Sequence, residues 1–83
     1  MLNLNFNYDQ KNDILYVSIG KPTPSYGDEE VEGIILRRDM QTDQLTGVTI
    51  IDFKKRLSSD DTSLKNIPLE IDFSAFIENN HLH

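Results

Sequence analysis

The chain has 83 residues, of which 37% are hydrophobic and 27% charged, and its formal net charge at pH 7 is −6. This length suits one small folded domain, and the acidic balance disfavours nonspecific binding to nucleic acid, which needs clustered Lys and Arg. No apolar run approaches the roughly 20 residues that span a membrane, and the absence of cysteine excludes disulfides and thiolate metal sites. Residues 1–5 lack the blocks of a signal peptide, so we expect a cytoplasmic protein.

A first β-hairpin is predicted near the N-terminus. Between residues 2 and 7, apolar side chains alternate with asparagines, which is the period of a half-buried strand. Residues 9–12 favour a turn, and residues 14–19 form the second predicted strand. A four-residue loop sets Tyr8 opposite Asp13, and this register keeps the apolar side chains of both strands on one face.

A second hairpin is predicted in the middle of the chain. Residues 20–27 contain two prolines and two glycines and indicate a loop. Residues 31–38 and 47–53 are the third and fourth predicted strands, joined by a polar connection. Both strands carry apolar side chains on two faces, which is typical of strands covered on both sides. The cover could be a helix, a second copy of the chain or a partner.

The C-terminal third has a different pattern. Residues 58–63 are polar and could act as a hinge, whereas residues 67–73 alternate between apolar and polar side chains. The alternation predicts a fifth strand that adds to a sheet edge of its own chain, a partner or a second copy, and Pro68 favours an edge position. Ser74 could cap a short helix through Asn79.

These elements predict a mainly β fold, α+β at most. Two consecutive hairpins form a small antiparallel sheet over residues 1–57. Residues 58–83 supply a hinge, the fifth strand and at most a short C-terminal helix, within the same domain or in an interface.

Two segments resemble a known family. The stretch from Tyr8 to Val17 and the stretch from Gly47 to Leu57 are similar to signatures of small bacterial and phage domains catalogued as domain of unknown function 2283. The resemblance covers about residues 6–57 and implies a small, mainly antiparallel sheet. Thr49 stands where family members commonly have Glu. Because the family's genes often neighbour genes for small toxin-like proteins, the resemblance implies a toxin-neutralising role for some members.

Candidate metal ligands and catalytic groups are few. The carboxylates that could gather around Mg²⁺ or Ca²⁺ are those of Asp9, Asp13, Asp39 and Asp52. We favour a structural role for them, since Asp is preferred in turns, where its side chain bonds nearby backbone N–H groups. His81 and His83 lie at a terminus that would hold a metal poorly. With no nucleophile–histidine set and no Gly-rich phosphate loop, we expect no enzyme activity and no cofactor.

The basic residues are predicted to divide between the two ends of the second hairpin. Arg37 and Arg38 fall at its turn, whereas residues 54–56 fall at its open end near Glu30 and Glu32. Cross-strand charge pairing is therefore favoured over a nucleic-acid patch.

The surface predicted to bind a partner combines an exposed sheet face with the C-terminal strand. Its candidate interface residues are Ile14, Tyr16, Ile67, Leu69, Ile71 and Phe73. The leading hypothesis is an acidic protein-interaction module, an antitoxin-like neutraliser of a small basic toxin-like protein, and a homodimer is expected. The alternative is a phage-type inhibitor or nucleic-acid mimic, and a metal-dependent enzyme ranks lowest. Neither nucleic acid nor membrane is an expected partner.

Overall fold

A computed structural model describes residues 3–59, 62–69 and 71 of the chain. In chain order, its elements are β1 (Leu4–Asp9), β2 (Ile14–Ile19), β3 (Ser25–Val31), β4 (Ile34–Asp39), β5 (Leu45–Ile51), α1 (Phe53–Ser58) and a 3₁₀ helix (Thr62–Asn66). The strands form one antiparallel sheet in the spatial order β1-β2-β5-β4-β3. The predicted mainly β, antiparallel fold class is confirmed.

The hairpin of β1 and β2 has the predicted loop length but a different register. Its loop spans residues 10–13 rather than 9–12, and Tyr8 lies opposite Leu15 rather than Asp13. The two-residue shift keeps each apolar side chain on its predicted face, because side-chain direction alternates with a period of two. The shift also places Asp13 in the turn, with a φ of 55°.

The connection from β2 to β4 departs most from the prediction. The expected loop over residues 20–27 is wrong at its end, since β3 begins at Ser25. The expected strand over residues 31–38 is divided by a turn at Glu32 and Gly33 into the end of β3 and the start of β4. Gly33 supplies a φ of 85°, which a residue with a side chain rarely adopts. Glycine and acidic residues have low β-propensity, and this concealed β3 in the sequence.

β5 pairs with both β2 and β4 and is the central strand of the sheet. The predicted pairing of the middle strands is confirmed by the β4–β5 ladder. The predicted strand over residues 47–53 extends too far, because β5 ends at Ile51 and α1 begins at Phe53. The chain changes direction at Asp52, whose φ of 58° is better tolerated by Asp than by most residues.

One face of the sheet, which we call the core face, carries the hydrophobic core. Its buried strand residues are Leu15, Val17, Ile34, Leu36, Val48 and Ile50. The register sets them side by side across β2, β5 and β4. Phe53 and Ile67 are buried against them. Because full burial of such a side chain contributes about 1.5–3 kcal/mol, α1 and the C-terminal segment are held on this face.

The predicted fifth strand is wrong where the structure describes it. Residues 67–69 form bends, and the Leu69 N–H donates to the Ile67 carbonyl at 2.7 Å, which closes a tight turn instead of a ladder. Leu69 and Ile71 pack against the core, so the apolar alternation serves burial. Phe73 and the predicted helix over residues 74–79 lie outside the described residues.

The opposite side of the sheet, which we call the open face, is formed by the alternate side chains. Ile14 and Tyr16 of β2, Ile35 of β4 and Thr49 and Ile51 of β5 lie on it. The described parts of α1 and of the C-terminal segment pack on the core face, so neither of them covers the open face. Tyr16 lies at the centre of the open face and is 43% exposed.

Candidate protein-binding site

The two segments that resemble family signatures meet at the start of α1. The Asp13 carboxylate accepts hydrogen bonds from the backbone N–H groups of Lys54 at 2.9 Å and Lys55 at 3.4 Å. The Asp13 carbonyl accepts a third from Phe53 at 3.0 Å. The first N–H groups of a helix have no partner within the helix. Since Asp52 makes no side-chain cap, Asp13 caps α1 from the first hairpin.

Tyr8 joins this cap to the core face. Its hydroxyl donates to Asp13 Oδ1 at 2.7 Å, and its ring meets the edge of Phe53 with centroids 5.9 Å apart. Burial and the hydrogen bond to Asp13 raise the pKa of Tyr8 to about 12. Burial opposes the charged form of Asp13, but the Lys54 N–H and the Tyr8 hydroxyl outweigh it and lower the pKa of that carboxyl. These residues therefore stabilise the fold.

The other aspartates considered as cation ligands lie in separate turns. Asp9 accepts from the N–H groups of Lys11 at 3.1 Å and Asn12 at 3.2 Å, and the Asn12 side chain helps to lower the pKa of Asp9. Asp39 makes the equivalent turn between β4 and β5, where the Gln41 N–H at 2.8 Å lowers its pKa.

The described residues contain no group of three or more His, Asp or Glu side chains arranged to hold a metal ion. His81 and His83 lie outside those residues. Within the same part of the chain, no helix is long and apolar enough to cross a membrane.

The Arg56 side chain connects α1 to the end of β5 and to the turn between β3 and β4. Its Nε donates to the Ile51 carbonyl at 2.7 Å, and its Nη2 donates to the Glu32 carbonyl at 2.8 Å. The predicted proximity of Arg56 and Glu32 is thus confirmed, with the Glu32 backbone as the acceptor in this bond. The acidic run also meets the other basic group, because Asp28 lies 3.8 Å from Arg38, which the sequence did not predict.

β3 is an edge strand with acidic character. Four of the five residues from 28 to 32 are acidic, and we call Asp28, Glu29, Glu30 and Glu32 together with the β3 backbone the acidic edge. The Met40 N–H donates to the Pro24 carbonyl at 3.1 Å. Because hydrogen-bonded pairs alternate in an antiparallel ladder, this bond directs the backbone groups of Ser25 and Gly27 away from β4. The Ser25 carbonyl accepts from Arg37 Nη2 at 3.4 Å. Within the part of the chain that the structure describes, the Ser25 N–H and both backbone groups of Gly27 are available to another strand.

Side chains on either side hold β3 against β4. The Tyr26 hydroxyl donates to the Asp43 carboxylate, and this bond raises the pKa of Tyr26. Glu29 Oε2 accepts from the Gly33 N–H at 2.8 Å and fixes the turn into β4. The acidic edge is therefore a formed strand, although its ladder is irregular between Asp28 and Val31.

An apolar groove runs beside the acidic edge on the core face. Its volume is about 280 Å³. Its lining residues are Glu30, Val31, Ile34, Leu36, Arg38, Asn66, Ile67 and Pro68, so polar side chains border an apolar floor. Val31 is 44% exposed, whereas Ile34 and Leu36 form the buried floor. We call this space the edge groove, and its size and lining suit an apolar side chain presented by a strand beside β3.

The candidate interface residues do not form one surface. Ile14 and Tyr16 lie on the open face, as predicted. Ile67 is 8% exposed, belongs to the core and lines the edge groove, while Leu69 and Ile71 pack against the core. The sequence did not identify the acidic edge as a site, because β3 was not recognised as a strand.

The family comparison agrees with this geometry. A family model described as "Protein of unknown function (DUF2283)" matches residues 5–54. The chain belongs to the DUF2283 family. At its C-terminal end, the match is slightly shorter than the expected range 6–57. It ends at Lys54, whose backbone N–H donates to the Asp13 carboxylate. The DUF2283 segment thus contains β1 to β5 and the start of α1 with its cap.

Comparisons with curated proteins and with solved structures gave no match. The DUF2283 match carries no function with it, so the function is inferred from the surfaces of the chain itself.

Proposed function

We propose that this DUF2283 domain is a non-catalytic protein-interaction module that binds a strand of a small basic protein at its acidic edge. The partner would be toxin-like and the domain an antitoxin-like neutraliser in the cytoplasm. The single observation that carries the proposal is an edge strand with outward backbone groups, acidic side chains and an adjacent apolar groove.

The backbone of β3 supports strand addition. An added strand gains affinity from main-chain hydrogen bonds and specificity from pockets for alternate side chains. The Ser25 N–H and the backbone groups of Gly27 supply the main-chain donors and acceptor, while the Ser25 carbonyl already accepts from Arg37. The edge groove supplies a pocket, since it opens beside β3 and is floored by Ile34 and Leu36.

Charge supports a basic partner. Opposite charges raise the rate of encounter and suppress wrong partners. Asp28 is already paired with Arg38, and Glu29 is engaged with the Gly33 N–H. Glu30 and Glu32 are exposed. These two carboxylates are therefore the ones that we assign to lysines or arginines of the partner.

Comparative co-purification from the native host tests the proposal. The bait is the wild-type chain, and the edge variant Glu30→Gln/Glu32→Gln removes two negative charges. The matched control Asn3→Lys/Gln10→Lys changes the net charge equally at exposed positions that flank β1, the opposite edge strand. We expect the wild type and the control to recover the same small basic protein, and the edge variant to recover at least tenfold less.

Three results would overturn the proposal. One is recovery of the wild-type chain alone. A second is equal recovery of the partner by the edge variant, and a third is an acidic partner or nucleic acid in place of a basic protein.

A further inference from the structure

We propose that the open face is a self-association surface on which a second copy of this chain packs face to face. This inference gives no role to Glu30 and Glu32, the two carboxylates that the proposed function assigns to a basic partner. It depends on the order of side chains along β2, β5 and β4.

The open face changes character from one end of the strands to the other. At one end, Ile14 lies beside Ile51. At the middle, Tyr16 lies beside Thr49, and at the other end Ser18 lies beside Gly47. The face therefore has an aliphatic end, a central row and a small-residue end.

The small-residue end is a depression. A groove of about 360 Å³ lies there, lined by Tyr16, Ser18, Gly47 and Thr49, by Arg37, and by Lys21, Pro22 and Thr23 of the loop after β2. Gly47 has no side chain, and a Cβ added there would overlap the Val17 carbonyl oxygen. The close approach of β2 and β5 therefore keeps position 47 free of a side chain, and the loop after β2 contributes a wall of the depression.

A two-fold axis in the plane of contact, at right angles to the strands, reverses the order of rows. The aliphatic end of one copy then falls on the small-residue end of the other, and the central row falls on itself. Such an arrangement is isologous, since each patch meets its complement twice. The ridge formed by Ile14 and Ile51 enters the depression around Gly47.

The two charged side chains near β4, Arg37 and Glu29, also lie at opposite ends of the open face. Arg37 lies at the small-residue end, opposite Gly47 on β5. Glu29 lies near the other end of β4, where its carboxylate accepts from the Gly33 N–H. The two-fold axis brings Arg37 of one copy toward Glu29 of the other. Both side chains keep their charge, because their bonds within the chain are to the neutral groups of Ser25 and Gly33, so both ends of the interface gain a pair of opposite charges. An unrelated basic partner would meet Arg37 as a like charge.

The area sets the strength of association. Five strands about 4.8 Å apart, each of about six residues at 3.3 Å, give a face on the order of 500 Å². Two such faces bury about 1,000 Å², the lower limit for a specific interface. We therefore expect a weak, reversible dimer.

Sedimentation equilibrium over a concentration series tests this inference. Thr49→Lys places a charge on the central row, where the two copies would meet lysine to lysine, and Tyr16→Lys does the same from β2. Gln41→Lys adds an equal charge in an exposed turn. We expect the wild type and Gln41→Lys to dimerise, and both central variants to weaken dimerisation at least tenfold with unchanged circular dichroism.

A wild-type chain that stays monomeric up to millimolar concentration would overturn the inference. So would a dimer that both folded central variants leave intact, because the copies would then meet elsewhere. Since these variants leave the acidic edge untouched, the result is separate from that of co-purification.

Discussion

Removing the Asp13 cap should destabilise the domain by a predictable amount. The Asp13 carboxylate accepts from Tyr8 and Lys54 through one oxygen and from Lys55 through the other. Loss of a helix cap costs about 0.5–2 kcal/mol. Alanine keeps the Cβ that Asp13 already holds at a φ of 55° but lacks the side-chain oxygen that eases the left-handed region, which adds less than about 1 kcal/mol. Asp13→Ala should therefore lose about 1–3 kcal/mol.

Two further substitutions separate these contributions. Asp13→Gly removes the cap but tolerates the backbone conformation, so we expect a loss of about 0.5–2 kcal/mol. Asp13→Asn keeps one acceptor oxygen and loses the charge near the helix N-terminus, which costs about 0.3–1 kcal/mol. Asp9→Asn is the control with the same charge change in a turn that does not contact α1, and it should stay within about 0.5 kcal/mol of wild type.

Urea unfolding followed by circular dichroism measures these differences, and pH supplies a second test. The folded-state pKa of Asp13 is lowered, so its contribution is present above the unfolded value of about 3.9 and is lost as pH falls through the folded value. Wild type and Asp13→Asn should therefore converge in stability in acid. An Asp13→Gly variant as stable as the wild type, or no convergence in acid, would refute the capping role.

Three other changes have defined outcomes. Gly47→Ala should cost more than about 2 kcal/mol in thermal or urea unfolding, since the new Cβ overlaps backbone atoms. Gly20 lies in open space at a φ of 62°, so Gly20→Ala should cost only about 1 kcal/mol. Equal losses of stability in the two variants would contradict the close-approach explanation. Arg56→Lys should destabilise by about 1–3 kcal/mol, because lysine cannot reproduce the two separate donations to backbone carbonyls; a melting temperature equal to that of wild type would exclude the clamp. The pKa of Tyr8 is raised to about 12, so its stabilising contribution is present below the unfolded value of about 10 and is lost as pH rises through 12. The absorbance titration of Tyr8→Phe should lack the highest tyrosinate step. A titration curve unchanged from that of the wild type would contradict the assignment.

The sequence was sufficient for the first hairpin and the central pairing. Alternation of apolar and polar residues in β1 and β2 identified the strands and their faces, because face depends only on the period of two. The register was not available from that pattern, since a shift of two residues preserves every face. It is decided by the turn, in which Asp13 leaves the strand to cap α1.

Tertiary contacts decided the elements that the sequence missed. Residues 67–69 have a strand-like alternation, but Ile67 is held by the core face and a tight turn to Leu69 prevents a ladder. β3 has the opposite problem, since its glycine and acidic residues disfavour a strand locally. Pairing with β4 and the bond from Tyr26 to Asp43 stabilise it.

The candidate site was only partly predictable for the same reason. Ile14 and Tyr16 were identified because alternation in β2 places them opposite the core. The acidic edge required knowledge of strand order, which places β3 rather than the C-terminal segment at the edge next to β4. The acidic run itself is visible in the sequence, but nothing there distinguishes a loop from an edge strand.

Peptide-level hydrogen–deuterium exchange of the complex with the co-purified basic protein tests binding at the acidic edge most directly. The outward N–H groups of Ser25 and Gly27 exchange with solvent in the free domain, and an added strand would occupy them. We predict that residues 25–31 exchange more slowly in the complex, while the exposed turn at residues 40–42 is unchanged. Slowed exchange on β1 or in the turns, with residues 25–31 unaffected, would show that the partner binds elsewhere and would contradict the proposal.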